Sequence, residues 1–592
     1  MTKYIPEPQV VVLDTGGQYC HLIARKVREL GVYAEVQPCG TPLQALRDRR
    51  AIIISGGPNS VYEPDSPTVD PELFCLGVPV LGICYGLQLM AHLLGGSVTL
   101  GTKGEYGLAL LSVVMPDSLF EGITQRQQVW MSHRDVVTAL PPGFHAIAST
   151  DTCTVAAMSN PGRRLYGVQF HPEVAHTHRG TDMLRNFLFR ICGCVKDWNP
   201  KHRISAIEER IREVAGDRNV FFFVSGGVDS TVAFTLCVRA LGPQRTRGIY
   251  VDTGLMREGE TEYVRNVFAA LDGQSFMVVH AEDQFLCALA GICDPEQKRQ
   301  VIGEEFVKIQ QKVIEAEHFL DDRWILGQGT IYPDTIESGG TPQAAVIKTH
   351  HNRVPGIRRL MEMNRIIEPL SHFYKDEVRE VGRELGLPEA FLERHPFPGP
   401  GLAIRCLCSR TGAVVQKVQH GWLLPIRSVG VQGDSRSYRP VLALDSFFDE
   451  KGGLQVRATE LINRLSAINR IVAWVDGKVP LNRLALVPAS LNKERLARLR
   501  LADAAVRRLS RESGFDRKVW QFPVILIPIG SPQMPDSVVL RPVDSVDGMT
   551  ASSVYMEDDL LKRMATELLR IEGICAVFYD LTHKPPATIE WE

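Results

Sequence analysis

A run of three phenylalanines, Phe221 to Phe223, passes directly into the glycine-rich turn VSGGVDS and then into a helical pattern. An apolar run, a glycine turn and a helix together form the unit of a parallel α/β sheet. The turn also presents backbone N–H groups at a helix N-terminus, where phosphate can bind. It lacks the lysine of the common phosphate loop G-x-x-x-x-G-K-[ST], so it predicts a different use of the nucleotide.

The same pattern recurs earlier in the chain. VVVLD, AIIISGGP, VPVLGICYG and LYGVQFHPE each combine a short apolar run with a turn, which predicts a second parallel α/β sheet. A chain of 592 residues is too long for one core and predicts about three or four domains. A composition change near residues 194–203 and the proline- and glycine-rich HPFPGPGLAIR suggest the boundaries. We therefore predict an α/β protein with domains at 8–195, 196–405 and 406–592.

A comparison of the third region with itself predicts two related halves. Pro425 and Pro528 lie 103 residues apart in WLLPIRSV and VILIPIGS, and Thr459 and Thr566 lie 107 apart in ATELINRL and ATELLRIE. These similar offsets predict a duplicated α+β module, at about 420–480 and 520–592. Chance similarity between amphipathic helices is the alternative.

Composition limits the classes of partner. The chain has 66 basic and 68 acidic residues, a net charge of −2, which does not favour nucleic acid or an acidic membrane surface. No apolar run approaches the ~18 residues of a membrane helix. An odd total of 13 cysteines suits reduced thiols better than a disulfide scaffold, so we expect a cytoplasmic protein.

Cys84 stands in G-I-C-Y-G, where a predicted strand becomes a helix. This is the nucleophile-elbow pattern with cysteine in place of serine. His171 and Glu173, in a loop after another strand, could supply a base and the carboxylate that orients it. Each half also occurs as inert structure, but together they indicate nucleophilic catalysis.

These residues resemble the class I glutamine amidotransferases, over residues 9–192. The resemblance implies hydrolysis of glutamine to glutamate and ammonia, with Cys84 as nucleophile, His171 as base and acid, and Glu173 as orienter. It also implies oxyanion N–H groups at Gly57 and Tyr85. The resemblance further implies that Gln88 seats glutamine. Arg134 in SHRD departs from the glycine that the family usually has.

The turn SGGVDS resembles the PP-loop of the ATP pyrophosphatases, which grips the β,γ-pyrophosphate while the substrate attacks the α-phosphorus. The missing lysine fits this use of pyrophosphate as the leaving group. The resemblance implies ATP and Mg²⁺, with Asp229 as the metal ligand. The ATP-binding residues it implies are Ser225, Gly226, Gly227, Val228, Asp229, Ser230, Thr231, Val251 and Lys348.

Several longer stretches, among them QGTIYPDTIES, VIKTHHN, RHPFPGPGLAIR, SVGVQGDSRSY and KPPATIEWE, resemble the family of glutamine-hydrolysing GMP synthetases. The resemblance runs from about residue 9 to the last residue. It implies adenylation of xanthosine monophosphate (XMP) at O2 and amination by glutamine-derived ammonia. The XMP contacts it implies are Arg299, Asp434, Gln521, Lys584 and Glu590, and it implies a homodimer. Thr253 stands where relatives commonly have asparagine.

Other functions remain as alternatives at this stage. A PP-loop amidotransferase could act on another carbonyl acceptor, such as a tRNA base or the precursor of NAD. The balanced charge argues against tRNA, and NAD synthesis usually pairs the PP-loop with a nitrilase-type amidase. A metabolite-sensing binder with decayed sites is opposed by the intact Cys84, His171 and Glu173.

Overall fold

The computed structural model of the protein describes residues 4–272, 276–337, 354–395, 397–432, 435–448, 453–465, 467–545 and 551–592. The chain divides into two compact units. The first comprises Met1–Arg210, Thr330–Lys348 and Pro369–Glu384, and the second comprises Ile211–Gly329, Thr349–Glu368 and Leu385–Glu592. The three predicted domain ranges do not coincide with these units and stay predictions.

The strands are β1 (Val10–Asp14), β2 (Ala34–Pro38), β3 (Ala51–Ile54), β4 (Val80–Ile83), β5 (Ser97–Val113), β6 (Arg126–Ala139), β7 (His145–Ser149), β8 (Ala157–Asn160), β9 (Leu165–Val168), β10 (Asn219–Phe223), β11 (Thr246–Asp252), β12 (Phe276–His280), β13 (Trp324–Gly327), β14 (Ile366–Ile367), β15 (Ala413–Val414), β16 (Gln416–Val418), β17 (Gly421–Gln432), β18 (Ser435–Leu444), β19 (Arg470–Gly477), β20 (Ala485–Leu486), β21 (Val524–Ile527), β22 (Ile529–Gly530), β23 (Asp536–Leu540), β24 (Val543–Asp544), β25 (Ser552–Ser553) and β26 (Ile574–Asp580).

The helices are α1 (Cys20–Glu29), α2 (Leu43–Leu46), α3 (Tyr85–Leu93), α4 (Gly180–Arg185), α5 (Ile204–Ala215), α6 (Val228–Leu241), α7 (Glu260–Asp272), α8 (Glu282–Ala288), α9 (Pro295–Ala316), α10 (Tyr332–Glu337), α11 (Pro355–Glu362), α12 (Lys375–Glu384), α13 (Glu389–Leu392), α14 (Leu454–Arg464), α15 (Lys493–Ser513) and α16 (Asp558–Leu569). Within the described ranges, none of them combines the length and apolar character needed to cross a membrane.

The first unit is built on a nine-stranded sheet with the order β2-β1-β3-β4-β9-β8-β7-β5-β6. The strands from β2 to β9 in this order are parallel, and the remaining pairs are antiparallel. Successive residues of β1 enter opposite cores: Val10 and Val12 pack on one face of the sheet, Val11 and Leu13 on the other. Burial on both faces explains why these strands are continuous apolar runs, as the sequence predicted.

Two short segments from far along the chain also belong to the first unit. Tyr332 on α10 and Tyr374, immediately before α12, are buried in the same core as Val10 and Val12. The backbone N–H of Tyr332 donates to the carbonyl of Phe373 at 2.9 Å, which ties the two segments together. The sequence gives no local sign of this arrangement.

The second unit contains a five-stranded sheet with the order β12-β11-β10-β13-β14, in which every pair is parallel. The strand β10 lies at the middle, where the strand order reverses. In open α/β sheets, ligands bind in the crevice at the carboxyl ends of the strands beside such a reversal. The predicted phosphate turn follows β10 and therefore lies at this crevice.

A seven-stranded sheet with the order β16-β17-β18-β19-β26-β23-β21 forms the C-terminal part of the second unit. The strand directions are symmetric about the central antiparallel pair of β19 and β26. On either side, β18 pairs in parallel with β19, and β23 pairs in parallel with β26. The next pairs, β17 with β18 and β21 with β23, are antiparallel. The helices α14 and α16, which carry Thr459 and Thr566, precede β19 and β26 in the two halves. Each predicted half thus contributes a helix followed by a strand, and the duplication itself stays a prediction.

Candidate active sites

The carboxyl ends of the parallel strands in the first unit collect the predicted glutaminase residues at one edge of the sheet. Cys84 follows β4, Gly57 lies in the turn after β3, and His171 lies three residues beyond β9. The backbone N–H of Cys84 donates to the carbonyl of Val168, the last residue of β9, at 2.8 Å. Adjacent strand ends therefore bring residues 87 positions apart in sequence into one site.

Cys84 adopts the strained backbone of a nucleophile elbow, with φ of 53° and ψ of −105°. A positive φ at a residue other than glycine is uncommon and is typical of functional sites. A Cβ at Gly82 would lie 2.4 Å from the carbonyl oxygen of Gly86, and one at Gly86 would lie 2.3 Å from that of Ile54. Both glycines of G-I-C-Y-G are thus required by close backbone contacts.

His171 is held between the nucleophile and a carboxylate. Its Nδ1 lies 2.7 Å from Oε1 of Glu173. Burial would lower the pKa of the imidazole, but the Glu173 carboxylate and the neighbouring Cys84 side chain outweigh it and raise the pKa to about 10. The ring therefore favours its imidazolium form near neutral pH.

The other predicted glutaminase residues lie around the same thiol. Gly57 is partly buried and would meet the Thr15 carbonyl oxygen at 2.7 Å if it carried a Cβ. Tyr85, 1% exposed, is the first residue of α3, and Gln88 on the same helix is 3% exposed. Arg134, the predicted departure, is exposed on β6.

The sequence reasoning did not single out Gln169. Its side chain is fully buried, and its Nε2 lies 3.5 Å from the Cys84 sulfur. It precedes His171 by two residues, and residues two apart in an extended segment point to the same side. That alternation was the signal that could have identified it.

The turn after β10 carries the predicted PP-loop. Ser225 and Gly227 are exposed, and Val228 begins α6, so backbone N–H groups stand at the positive end of a helix of 14 residues. Gly226 has φ of 74°, a conformation that favours glycine. Ser230 Oγ donates to the Gly227 carbonyl at 3.2 Å, which closes the turn.

Further predicted ATP residues flank this turn. Asp229 lies in the first turn of α6, Thr231 on the same helix is fully buried, and Val251 on β11 is 5% exposed. A Cβ at Gly329, two residues after β13, would lie 2.7 Å from the Ser230 N, so the loops after β10 and β13 meet here. Lys348 lies outside the described residues.

Thr253, the residue expected near the adenine pocket, is 4% exposed and follows β11. Its Oγ1 accepts a hydrogen bond from the backbone N–H of Leu255 at 3.2 Å. The threonine thus caps its own turn through a short-range contact.

Two of the predicted XMP residues lie at the C-terminal segment. Arg299 on α9 donates from Nη2 to the backbone oxygen of Glu592, and Lys298 beside it donates to Oε2 of Glu592 at 2.5 Å. Glu590 accepts two hydrogen bonds from the fully buried Arg405, at 2.9 and 2.6 Å. Cationic side chains therefore hold the segment that carries Glu590.

Two more of the predicted XMP residues, Gln521 and Lys584, lie beside the paired strands β24 and β25. Gln521, 4% exposed, pairs through its backbone with Val543 on β24, and Lys584 pairs with Ala551 just before β25. The strands β24 and β25 pair with each other, so Gln521 and Lys584 border one small antiparallel patch. Asp434 lies outside the described residues.

Three family models match the chain. Glutamine amidotransferase class-I matches residues 11–191, NAD synthase matches 201–299, and GMP synthase C terminal domain matches 509–591. The NAD synthase match covers the PP-loop turn. The last match covers only the second of the two C-terminal halves.

Curated relatives match over nearly the whole chain. A Leptospira interrogans protein named "Probable GMP synthase [glutamine-hydrolyzing]" is 41% identical over 605 aligned positions, which cover 99% of both chains. A GMP synthase [glutamine-hydrolyzing] of Caldicellulosiruptor saccharolyticus is 40% identical and covers 98% of this chain and 99% of its own. A solved glutamine amidotransferase from Thermotoga maritima, 20% identical, aligns with 32% of this chain and 99% of its own at a TM-score of 0.26.

The thiol elbow of the first unit and the glycine turn of the second thus belong to a chain that is 40–41% identical, over 98–99% of its length, to relatives named GMP synthase. The chain belongs to the glutamine-hydrolysing GMP synthase family.

Proposed function

We propose that the chain makes GMP from XMP, with ATP to activate the purine and glutamine to supply ammonia. The observation that carries the proposal is Cys84 at a positive φ beside the His171–Glu173 pair. The PP-loop turn at the β10 crevice supports the second half. Action on another carbonyl acceptor is the alternative, and it would retain both motifs.

In the glutaminase half, Cys84 attacks the carboxamide carbon of glutamine while His171 holds the thiol proton. The Gly57 and Tyr85 N–H groups stabilise the oxyanion, and Gln88 helps to seat the substrate. His171 gives its proton to the departing ammonia, leaving a thioester on Cys84. Water, activated by the neutral imidazole, then hydrolyses the thioester to glutamate.

In the synthetase half, residues Ser225 to Thr231, with Val251 and Lys348, bind ATP. The purine O2 of XMP attacks the α-phosphorus, and pyrophosphate leaves against the N–H groups of the loop. Ammonia then adds to C2 and displaces AMP, giving GMP. A carboxylate is the hard oxygen ligand that Mg²⁺ requires, so Asp229 in the first turn of α6 fits the metal, which would neutralise the phosphate charge.

The XMP contacts that we propose are Arg299, Asp434, Gln521, Lys584 and Glu590. The contact of Arg299 with the Glu592 backbone oxygen and the pairing of Glu590 with the buried Arg405 support a nucleotide site along the C-terminal segment. We further propose a cytoplasmic location and a homodimer. Light scattering of the purified chain tests the homodimer directly.

The decisive experiment supplies XMP, ATP and Mg²⁺ with either glutamine or ammonium. Cys84→Ala should abolish glutamine-dependent GMP formation and keep the ammonium-dependent reaction, whereas Asp229→Asn should impair both. Cys75→Ala is the matched control, because Cys75 is an exposed cysteine of the same unit. If the wild type makes GMP from neither nitrogen source, the proposed acceptor is wrong.

A further inference from the structure

Gln169 lies beside the catalytic sulfur, and the proposed mechanism does not use it. It follows β9 directly, is fully buried, and fixes its backbone by donating from N–H to the Ala156 carbonyl at 2.8 Å. Its Nε2 lies 3.5 Å from Cys84 Sγ. A buried carboxamide in this position either donates to the sulfur or turns its oxygen towards it.

The neighbouring Gln88 settles which end of the carboxamide faces the sulfur. Gln88 Nε2 lies 2.9 Å from the Asp135 carbonyl oxygen, which can only accept, so this atom of Gln88 is the nitrogen. The same Nε2 lies 3.2 Å from Oε1 of Gln169 and donates to it. The oxygen of Gln169 is thereby committed to Gln88, and its N–H group faces Cys84.

The sulfur has a different partner on its other side. Cys84 Sγ lies 3.6 Å from the carbonyl oxygen of Ser132, to which only a thiol can donate. When the proton moves to His171, that contact loses its hydrogen, whereas the N–H of Gln169 gains a charged acceptor. Hydrogen bonds to charged groups are the stronger kind, so Gln169 favours the thiolate over the thiol.

Resting on the proposed glutaminase function, we propose that Gln169 is a positioning residue whose N–H, fixed by Gln88, holds and stabilises the Cys84 thiolate. It acts twice in each turnover. The N–H supports the sulfur before it attacks the carboxamide carbon. It supports the sulfur again when water adds to the thioester, the carbon–sulfur bond breaks, and the electron pair returns to sulfur.

The test measures the sulfur directly. Iodoacetamide alkylates the thiolate with loss of iodide, and mass spectrometry of the peptide that contains Cys84 isolates this site from the other cysteines. In Gln169→Met, alkylation near pH 7 should slow about tenfold, and its pH profile should move to higher pH. Glutaminase kcat should fall about as much, with KM for glutamine changed less than about twofold.

Two further variants test whether Gln88 acts on Cys84 through the Gln169 side chain. Gln169→Glu places an acceptor against the sulfur and should slow alkylation more than Gln169→Met does. Gln88→Met releases the Gln169 carboxamide and should also slow alkylation. The Gln88→Met/Gln169→Met double variant should then alkylate no more slowly than the slower single variant, because both act through one N–H group.

Gln127→Met is the matched control. Gln127 is another buried glutamine of the first unit, 6% exposed, and its side-chain amide has no hydrogen-bond partner among the described residues. In this variant, Cys84 should be alkylated and glutamine hydrolysed at the wild-type rates. Ammonium-dependent GMP formation should stay unchanged in Gln127→Met.

Several results would overturn the inference. One is that Gln169→Met is alkylated at the wild-type rate or changes only the KM for glutamine. Another is that Gln127→Met slows alkylation as much as Gln169→Met does, or that the two effects add in the double variant. A Cys84→Ala variant that keeps its glutaminase activity would instead overturn the proposed function.

Discussion

An Arg28→Met substitution should leave a buried carboxylate of the first unit without its cation. Arg28 on α1 has a side chain only 1% exposed, and its Nη1 lies 3.3 Å from Oε2 of Glu377 on α12. It also donates to the carbonyl oxygens of Ala34 and His372, each at 2.8 Å. Four aromatic rings surround its guanidinium at 4.6–5.2 Å, those of Tyr33, Trp198, Tyr332 and Tyr374.

The magnitude follows from what the substitution leaves behind. Removing one partner of a buried ion pair typically costs about 3–5 kcal/mol, because the remaining charge is uncompensated. Glu377 keeps hydrogen bonds from Trp198 Nε1 at 2.5 Å and the Tyr374 N–H at 2.7 Å, which favours the lower half of that range. We therefore expect a loss of about 3 kcal/mol in the opening free energy of α1 and α12.

Native-state hydrogen exchange with mass spectrometry measures this loss on peptides from α1 and α12. Adding Glu377→Gln to Arg28→Met removes the stranded charge and should recover about 2 kcal/mol. Lys26→Met is the control on the same helix, since Lys26 forms a salt bridge with the partly exposed Glu29 at 2.7 Å. It should change the opening free energy by less than about 0.5 kcal/mol.

The pH dependence gives an independent check. Burial raises the pKa of Glu377 even though Arg28 lowers it. The folded state then holds a proton that the unfolded chain has lost, so this group's contribution falls as pH rises. Without Arg28 the effect grows, and the loss caused by Arg28→Met should be smaller near pH 5 than near pH 8. A loss below about 1 kcal/mol, or a double variant no more stable than Arg28→Met, would refute the reasoning.

Three other predictions concern the same unit. Gly86→Ala should lower glutamine-dependent GMP formation at least about 100-fold and spare the ammonium-dependent reaction, because its Cβ would lie 2.3 Å from the Ile54 carbonyl oxygen; equal loss of both reactions contradicts this. The pKa of His171 rises from 6.5 to about 10 on folding, so its stabilising contribution is complete below pH 6.5 and disappears as pH rises to about 10. The difference in unfolding free energy between wild type and His171→Gln should shrink over that range in urea titrations, and a constant difference would contradict it. Gln127→Met should raise the unfolding free energy by about 1 kcal/mol in thermal denaturation, because both polar atoms of its buried side chain lack hydrogen-bond partners among the described residues; a destabilised variant would contradict it.

The glutaminase elbow was predictable because its signal is local. The spacing of Gly82, Cys84 and Gly86 reflects backbone contacts within one turn and with the strand beside it. The alternation of Gln169 and His171 is local too, and it could have placed Gln169 on the side of the nucleophile. The direction of the Gln169 carboxamide was not predictable, because it depends on Gln88 and Asp135, which lie 81 and 34 positions away in sequence.

For the predicted C-terminal duplication, too, one part of the arrangement was predictable from the sequence and another was not. Similar offsets between the two halves predict the repeat, because each copy would preserve its own pattern of strands and helix. The pairing of β19 with β26, which joins the two halves in one sheet, is visible only in the folded chain. The sequence pattern specifies which faces are apolar, and several arrangements could bury them.

By itself, the sequence determined the parallel α/β strands of both units, the thiol elbow and the glycine turn at a helix N-terminus, because periodicity and backbone sterics act between near neighbours. The tertiary structure alone decided that Tyr332 and Tyr374 pack with the amidotransferase fold around Arg28, more than 300 positions away. It also decided that Gln169 turns its N–H towards Cys84. Both depend on contacts between distant segments, whose partners are selected by packing and charge when the chain is folded.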